Sequence, residues 1–241
     1  AWGGEALLVE GGDFRRFATF RPLALAGGDV ATTQVWRLAL AMIDDAFGGQ
    51  APVERFAVFR DVAARELAIV RQMLGRGVNC PPAHGVGRYF DAFGALGLAR
   101  PVSRYEGQVA IAWNHAAETM AGATAWTFDL DSSGEVVSLD LRAAIREFTM
   151  ALIAGEPAER LAARFHATLV AATVALVERA VAIHGPMPVV LGGGCFQNLL
   201  LAEGLLAALS PRFEVWLPRQ APPGDGGISL GQVMVAAARA N

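Results

Sequence analysis

Val189-Val190-Leu191-Gly192-Gly193-Gly194-Cys195-Phe196-Gln197-Asn198 reads as a short buried strand, a turn of three glycines and a helix opening near Cys195. Consecutive glycines let a backbone approach a ligand where a Cβ would block it. The free N–H groups of a helix start suit a phosphate or another anion. Further on, a strand at about Phe213 to Leu217 runs into Pro222-Pro223-Gly224-Asp225-Gly226-Gly227-Ile228, which places a carboxylate at the start of another helix. Two strand–turn–helix units in tandem bring both turns to one end of a sheet, where open α/β sheets bind ligands. Singly, each stretch has a plainer explanation. A glycine run after a strand also makes an ordinary tight turn, and Asp225 also suits an N-cap. The pattern is neither G-x-G-x-x-G nor a P-loop, and the chain has no lysine to complete the latter.

Composition narrows the class. The 241 residues are 54% apolar with much alanine, which predicts helix-rich packing in one large domain or two small lobes. Net charge is −3, and the basic residues, all arginine, are scattered without the stripe a nucleic acid would need. Cys80 and Cys195 form no motif and point to a reducing compartment. No uncharged apolar run of about 18 residues suggests a membrane span. Nor does the N-terminus look like a signal peptide, so the expected location is cytoplasmic.

Outward from the C-terminal motifs, the chain predicts a hairpin from Trp2 to Phe20 and a loop from Pro22 to Asp29. Helices follow at about Thr32 to Phe47 and Val53 to Leu74, the second with a solvated face of Arg55, Arg60, Arg65 and Arg71. Pro81-Pro82 force a loop before a helix carrying Arg88 and Asp91, which at a spacing of three form a helix-surface ion pair in the simplest account. A helix runs from Tyr105 to Met120, with His115 and Glu118 on its surface, and a hairpin spans Phe128 to Val137. Leu141 to Ala154 and Glu159 to Ile183 are helical. Leu161, Phe165, Leu169, Ala172, Leu176, Ala180 and Ile183 make the core stripe of the latter, with His166 structural beside it. The last helix covers Gly227 to Ala238. His84 beside Cys80 supplies too few ligands for a metal site, and Asp129, Asp131 and Glu135 lack calcium-loop spacing. A helical middle with a βαβα end is α/β or α+β.

Taken together, Trp2-Gly3-Gly4-Glu5, Gly27-Gly28-Asp29-Val30-Ala31, Trp36-Arg37, Gly87-Arg88-Tyr89-Phe90-Asp91-Ala92, Tyr105-Glu106-Gly107-Gln108, Gly193-Gly194-Cys195-Phe196-Gln197-Asn198 and Pro223-Gly224-Asp225-Gly226-Gly227-Ile228-Ser229-Leu230-Gly231-Gln232 resemble, in order and spacing, the C-terminal part of the HypF carbamoyltransferases of [NiFe]-hydrogenase maturation. The resemblance covers essentially the whole chain. It implies an actin/Hsp70/sugar-kinase-like (ASKHA) transferase domain similar to the tRNA threonylcarbamoyl-transferases. In that family carbamoyl phosphate and ATP give carbamoyl-adenylate, and the carbamoyl group passes to the C-terminal cysteine of the partner HypE, on the way to cyanide ligands. Position by position, the resemblance implies that Asp91 holds ribose hydroxyls and that Gly107 lies where the backbone nears the nucleoside. Gly193 and Gly194 would line the nucleotide cleft, Asn198 would contact adenine or ribose, and Asp225 would bind a divalent metal (Zn, Fe or Mg). No catalytic nucleophile is implied in this chain.

The departures are specific. The family's H-x-x-x-H metal ligands lie upstream of Trp-Gly-Gly-Glu, and this sequence contains no such pattern. His84-Gly85 stands where a Ser-Ser pair is usual, Gly192 replaces Ser and Cys195 replaces Val. The expectation is therefore a transferase domain truncated on its N-terminal side. Residues 1–30 would be a remnant of the first lobe, and 31–241 the helical region and nucleotide-binding lobe. An apolar edge left without partners predicts a homodimer or aggregation. Two other functions fit the same residues: an O-carbamoyltransferase of natural-product synthesis, and a non-catalytic nucleotide-binding or assembly module.

Overall fold

The structure is a computed structural model in which residues 3–120 and 122–240 are described. In chain order β1 (Glu5–Glu10) and β2 (Asp13–Phe20) precede β3 (Leu23–Ala24), α1 (Val30–Thr33), α2 (Trp36–Ala46), α3 (Ala64–Arg76), β4 (Pro82–Ala83), α4 (Val86–Gly97) and α5 (Gln108–Ala117). Then follow β5 (Asp129–Asp131), β6 (Val137–Asp140), α6 (Arg142–Ile153), α7 (Ala158–His184), β7 (Val189–Val190), α8 (Leu199–Leu209), β8 (Val215–Trp216) and α9 (Ile228–Ala240). Strands pair in the orders β1-β2-β6-β5, β3-β4 and β7-β8. The mixed, helix-rich class expected from the sequence is the one found. Two compact units share the chain. One comprises Ala1–Gly4, Phe20–Asp129 and Leu139–Thr168; the other comprises Glu5–Thr19, Leu130–Ser138 and Leu169–Asn241.

In the first unit, Phe93 lies 4.5 Å from Phe165 and 4.7 Å from Phe148, ring centre to ring centre, with Trp113 and Trp126 closing on Phe148. Edge-on and tilted contacts of this kind let aromatic rings fill a core at favourable quadrupole geometry. Beside that cluster α4 and α5 approach through glycine. A Cβ on Gly94 would lie 2.8 Å from Val109 Cγ1, and one on Gly97 would lie 2.4 Å from the Trp113 ring. Only hydrogen fits at either position. His166 is buried against Phe90 and Phe165, with Nδ1 2.8 Å from the Ala162 carbonyl. Burial lowers its pKa, in keeping with a core histidine.

In the second unit β1 and β2 form the expected hairpin, with Glu10 paired to Asp13 across Gly11-Gly12. Trp2, its first expected residue, lies outside the described residues. β7 and β8 pair in parallel, Val189 with Val215 and Val190 with Trp216. α8 joins them, burying Leu201, Ala202, Leu205 and Leu209. Exposed apolar side chains gather here at Val190 and Trp216 and along α9, at Ile228, Leu230, Val233 and Met234.

Several boundaries differ from expectation. The helix predicted over Thr32 to Phe47 breaks at Gln34, whose ψ of 70° leaves the helical region. There the Trp36 N–H donates to the Pro101 carbonyl, turning the indole into the core. The helix predicted from Val53 starts only at Ala64. Before it, two 3-10 turns flank an extended Phe56, so that Phe56, Val58 and Phe59 can all be buried on one side. Arg71 is not part of a solvated face, because its guanidinium donates twice to the buried Asp44 and once to the Ala51 carbonyl. β3 and β4 were expected as loops, and their two-residue ladder carries too little periodicity to be seen in sequence. α7 has the length and mean composition of a membrane-crossing helix, but Arg164, Glu178 and Arg179 interrupt it, so it holds no uncharged run of 18 residues. Its stripe Leu161, Phe165, Leu169, Ala172 and Leu176 is buried in the protein, but Ile183, expected to extend it, is exposed.

The close approach at Gly97 gives an expected outcome. Gly97→Ala should lose about 1–3 kcal/mol in denaturant unfolding, because the buried Trp113 ring cannot yield. Gly75→Ala in α3, where the added Cβ meets nothing within 4 Å, should gain about 0.5–1 kcal/mol from helix propensity. Equal effects at both positions would contradict the glycine contact.

Candidate functional site

The parallel pairing of β7 and β8 puts the turns that follow them at the same, C-terminal end of the pair. The two turns are tied together: the Gly193 N–H donates to the Pro223 carbonyl at 2.6 Å. A Cβ on Gly224 would come within 3.4 Å of Gly194 Cα and 3.3 Å of Gln197 Nε2. Gly193 has φ +107°, a backbone open to glycine and strained for other residues. Around Gly192, Gly193 and Gly194 nothing lies within 4 Å of an added Cβ, and all three are exposed. The turn is therefore an open backbone surface braced from one side.

The helix expected near Cys195 opens later. Residues 194–197 form a 3-10 turn, and α8 starts at Leu199 with Asn198 as its N-cap, Oδ1 accepting from the Leu201 N–H at 3.1 Å. The sequence signal was present, since Asn is among the best N-caps, but the glycine run drew the boundary too early. Asp225 is the exposed first residue of a 3-10 turn, Asp225–Gly227, that leads into α9. The N-cap of that turn is Gly224, so Asp225 is not the cap. As for a metal, among the described residues no three His, Cys, Asp or Glu side chains gather as ligands. One exposed carboxylate is by itself too small a donor set for a divalent ion. His84, considered with Cys80, has Nδ1 2.9 Å from the Phe20 carbonyl, and Cys80 Sγ sits against the Val78 carbonyl.

In the first unit Asp91 is not the helix-surface charge its spacing suggested. It is 3% exposed on α4, with Oδ2 3.1 Å from Arg88 Nη2. Burial raises its pKa to about 6; Arg88 pulls it down and the Glu106 carboxylate pushes it up. The protein thus keeps a carboxylate where water is scarce and one cation only partly compensates it. Gly107, with φ +76°, is the N-cap of α5 and sets where that helix begins. Tyr89, next to Arg88, turns the other way, its buried hydroxyl donating to the Arg21 carbonyl at 2.6 Å. The structure therefore brings Gly193, Gly194 and the Asp225 turn together in one unit, and puts Asp91 within the electrostatic reach of Glu106 in the other. Glu106 had no role in the sequence account, although it stands inside the Tyr105-Glu106-Gly107-Gln108 motif.

A family model described as "Carbamoyltransferase, Kae1-like Domain, second subdomain" matches residues 1–232. The chain belongs to the HypF carbamoyltransferase family. Carbamoyltransferase HypF2 of Cupriavidus necator is 37% identical over all of the chain, and a HypF homolog from the same organism is 37% identical over 98% of it. HypF of Rhodobacter capsulatus is 35% identical over 99%. A crystal structure of full-length HypF in the phosphate- and nucleotide-bound form superposes with a TM-score of 0.87 at 30% identity, covering 98% of the chain and 30% of HypF. HypF of T. kodakarensis, at 24% identity and a TM-score of 0.83, shares the fold. The chain spans 32%, 61% and 30% of the lengths of the three HypF sequence relatives.

The buried carboxylate makes stability depend on pH. Because Asp91 binds its proton more tightly folded than unfolded, stability should fall as pH rises from about 4 through about 6. The shift of some two pKa units amounts to about 3 kcal/mol at pH 7. Asp91→Asn should therefore be more stable than the parent at pH 7–8, with the gap closing toward pH 4. Urea unfolding across that range checks it, and a gap independent of pH would show that the carboxylate is not the cause.

Proposed function

We propose that the chain is the nucleotide-handling part of a HypF-type carbamoyltransferase in hydrogenase maturation. The observation that carries this reading is the Gly193–Pro223 hydrogen bond, which holds two glycine turns together at the ligand end of a parallel strand pair. Support comes from the relatives named carbamoyltransferase HypF and from the phosphate- and nucleotide-bound state of the superposed HypF. The exposed backbone of the Gly192–Gly194 run, with the Gly193 N–H itself engaged by the Pro223 carbonyl, suits a close approach of phosphate oxygens at Gly194, as open glycine turns do. Asp91 would accept the two vicinal ribose hydroxyls. A buried carboxylate gains most from such donors, because each restores hydration that burial removed. Gly107 would bring backbone to the nucleoside. Asn198 would contact adenine or ribose alongside its capping role, and Asp225 would add one ligand to a divalent metal completed by other groups.

The nucleotide in this reading is carbamoyl-adenylate, formed from carbamoyl phosphate, water and ATP with release of phosphate and pyrophosphate. The acceptor is the C-terminal cysteine thiol of a HypE-like protein. There a C–S bond forms, the carbamoyl–phosphate C–O bond breaks, AMP leaves and the thiol gives up its proton. Because the nucleophile comes from the acceptor, the chain needs no activated Ser, Cys or Lys of its own. One second reading, a nucleotide-binding module that does not itself turn over, is favoured by His84-Gly85 standing where the resembled family usually has a Ser-Ser pair.

Calorimetric titration of ATP into the parent and into Asp91→Ala tests the reading. The expected result is weak, saturable binding by the parent and at least a tenfold loss in the variant, the scale of one lost charge-assisted hydrogen bond. Gly193→Val should also weaken binding while leaving Asp91's contribution intact. Equal binding by parent and Asp91→Ala would remove Asp91 from the site.

A further inference from the structure

The 3-10 turn at residues 194–197 decides which side chains after the glycine run face outward. In such a turn residues three apart eclipse one another, so Gln197 stands over Gly194, whose missing side chain leaves that face open. Exposure follows the same division: Gly194 and Gln197 are exposed, while Cys195 and Phe196 between them are half-buried. The turn is fixed by its backbone, the Phe196 N–H donating to the Gly193 carbonyl at 3.1 Å and the Asn198 N–H to the Cys195 carbonyl at 3.1 Å.

On the other turn, Gly224 fixes what lies beside this face. A Cβ there would fall 3.3 Å from Gln197 Nε2, 3.4 Å from Gly194 Cα and 3.7 Å from Gly194 N. The Gln197 carboxamide and the Gly194 backbone nitrogen therefore flank one point, where the two glycine turns meet. Gly224 has φ −97° and ψ −150°, an extended backbone open to any residue. Its want of a side chain answers to this close approach and not to strain. The polar atoms nearest the point are both nitrogen donors, so the group they suit is an acceptor such as a phosphate oxygen. A neutral amide also keeps its donors available one residue from the exposed Asp225, where a lysine or arginine would be drawn into an ion pair.

We propose that the Gln197 carboxamide donates a hydrogen bond to a phosphate oxygen of the nucleotide that approaches the Gly194 backbone. The inference rests on the nucleotide reading above and adds a side chain to a turn that otherwise offers only backbone. Hydrogen bonds to a charged acceptor are the stronger kind, so one neutral amide on an exposed turn contributes measurably. The contribution belongs to the phosphate chain. It is therefore the same for ATP and for tripolyphosphate, which carries neither base nor sugar.

Phosphorus NMR titrations of ATP and of tripolyphosphate with the parent, Gln197→Ala and Gln197→Glu test this even at weak affinity. Gln197→Ala should lose about tenfold in affinity for both ligands, the scale of one hydrogen bond to a charged group. Gln197→Glu keeps the shape, exchanges the donor for a carboxylate and should lose more. Because Gln197 is exposed, both variants should keep the parent's thermal unfolding midpoint. Affinities equal to the parent's in both variants would overturn the role of the amide alone. A loss confined to ATP would put the amide on the nucleoside and overturn the phosphate assignment. A parent that binds neither ligand would overturn the nucleotide reading, and this inference with it.

Discussion

The close packing of α4 on α5 is the constraint from which most of the first unit follows. With hydrogen as the side chain at Gly94 and Gly97, the two helices approach until Val109 and the Trp113 ring touch α4 backbone. That approach seats Trp113 against Phe148 and, on the neighbouring turn of α4, lets Phe93 reach Phe148 and Phe165. A single pair of glycines thus shapes the aromatic core, because close-packed interiors transmit small displacements instead of absorbing them.

Asp91 shows the cost of such a placement. A carboxylate with 3% exposure and one partly exposed arginine is held at a pKa of about 6, so part of the fold's stability is given up near neutral pH. The fold has the opposite device elsewhere. Asp140, which burial alone would raise, is held low by its hydrogen bonds from Arg142, and Asp44 is paired by two hydrogen bonds from Arg71. A group left under-compensated among well-compensated ones is where a ligand's hydroxyl donors gain most, which is why perturbed carboxylates gather at binding sites.

The second unit relies on backbone more than on side chains. The Gly193 turn and the Pro223–Gly227 turn are fastened by one hydrogen bond and by the contact of Gly224 with Gly194, while the outward side of the glycine run stays open. Side chains on that run would cover the backbone that the glycines leave exposed. Asn198 then closes the segment by capping α8, so the same short motif ends the turn and starts the helix.

The sequence by itself determined the family, through ordered motifs that no single piece carried, and the helix-rich mixed class. It also determined the tandem strand–turn units, because apolar runs and glycine turns are local signals. The long helix α7 and the β1–β2 hairpin were legible for the same reason. Only the tertiary structure decided which charges are buried. The three-residue spacing of Arg88 and Asp91 describes an ion pair equally well at a surface or in a core, and Arg71 looked solvated until Asp44 came to meet it. It also decided where helices break, as at Gln34 and Phe56, since those breaks answer to Pro101 and to core apolar side chains distant in sequence. Periodicity reports the face a residue takes along its own element. What that face meets depends on contacts between segments far apart in the chain, and those exist only once it has folded.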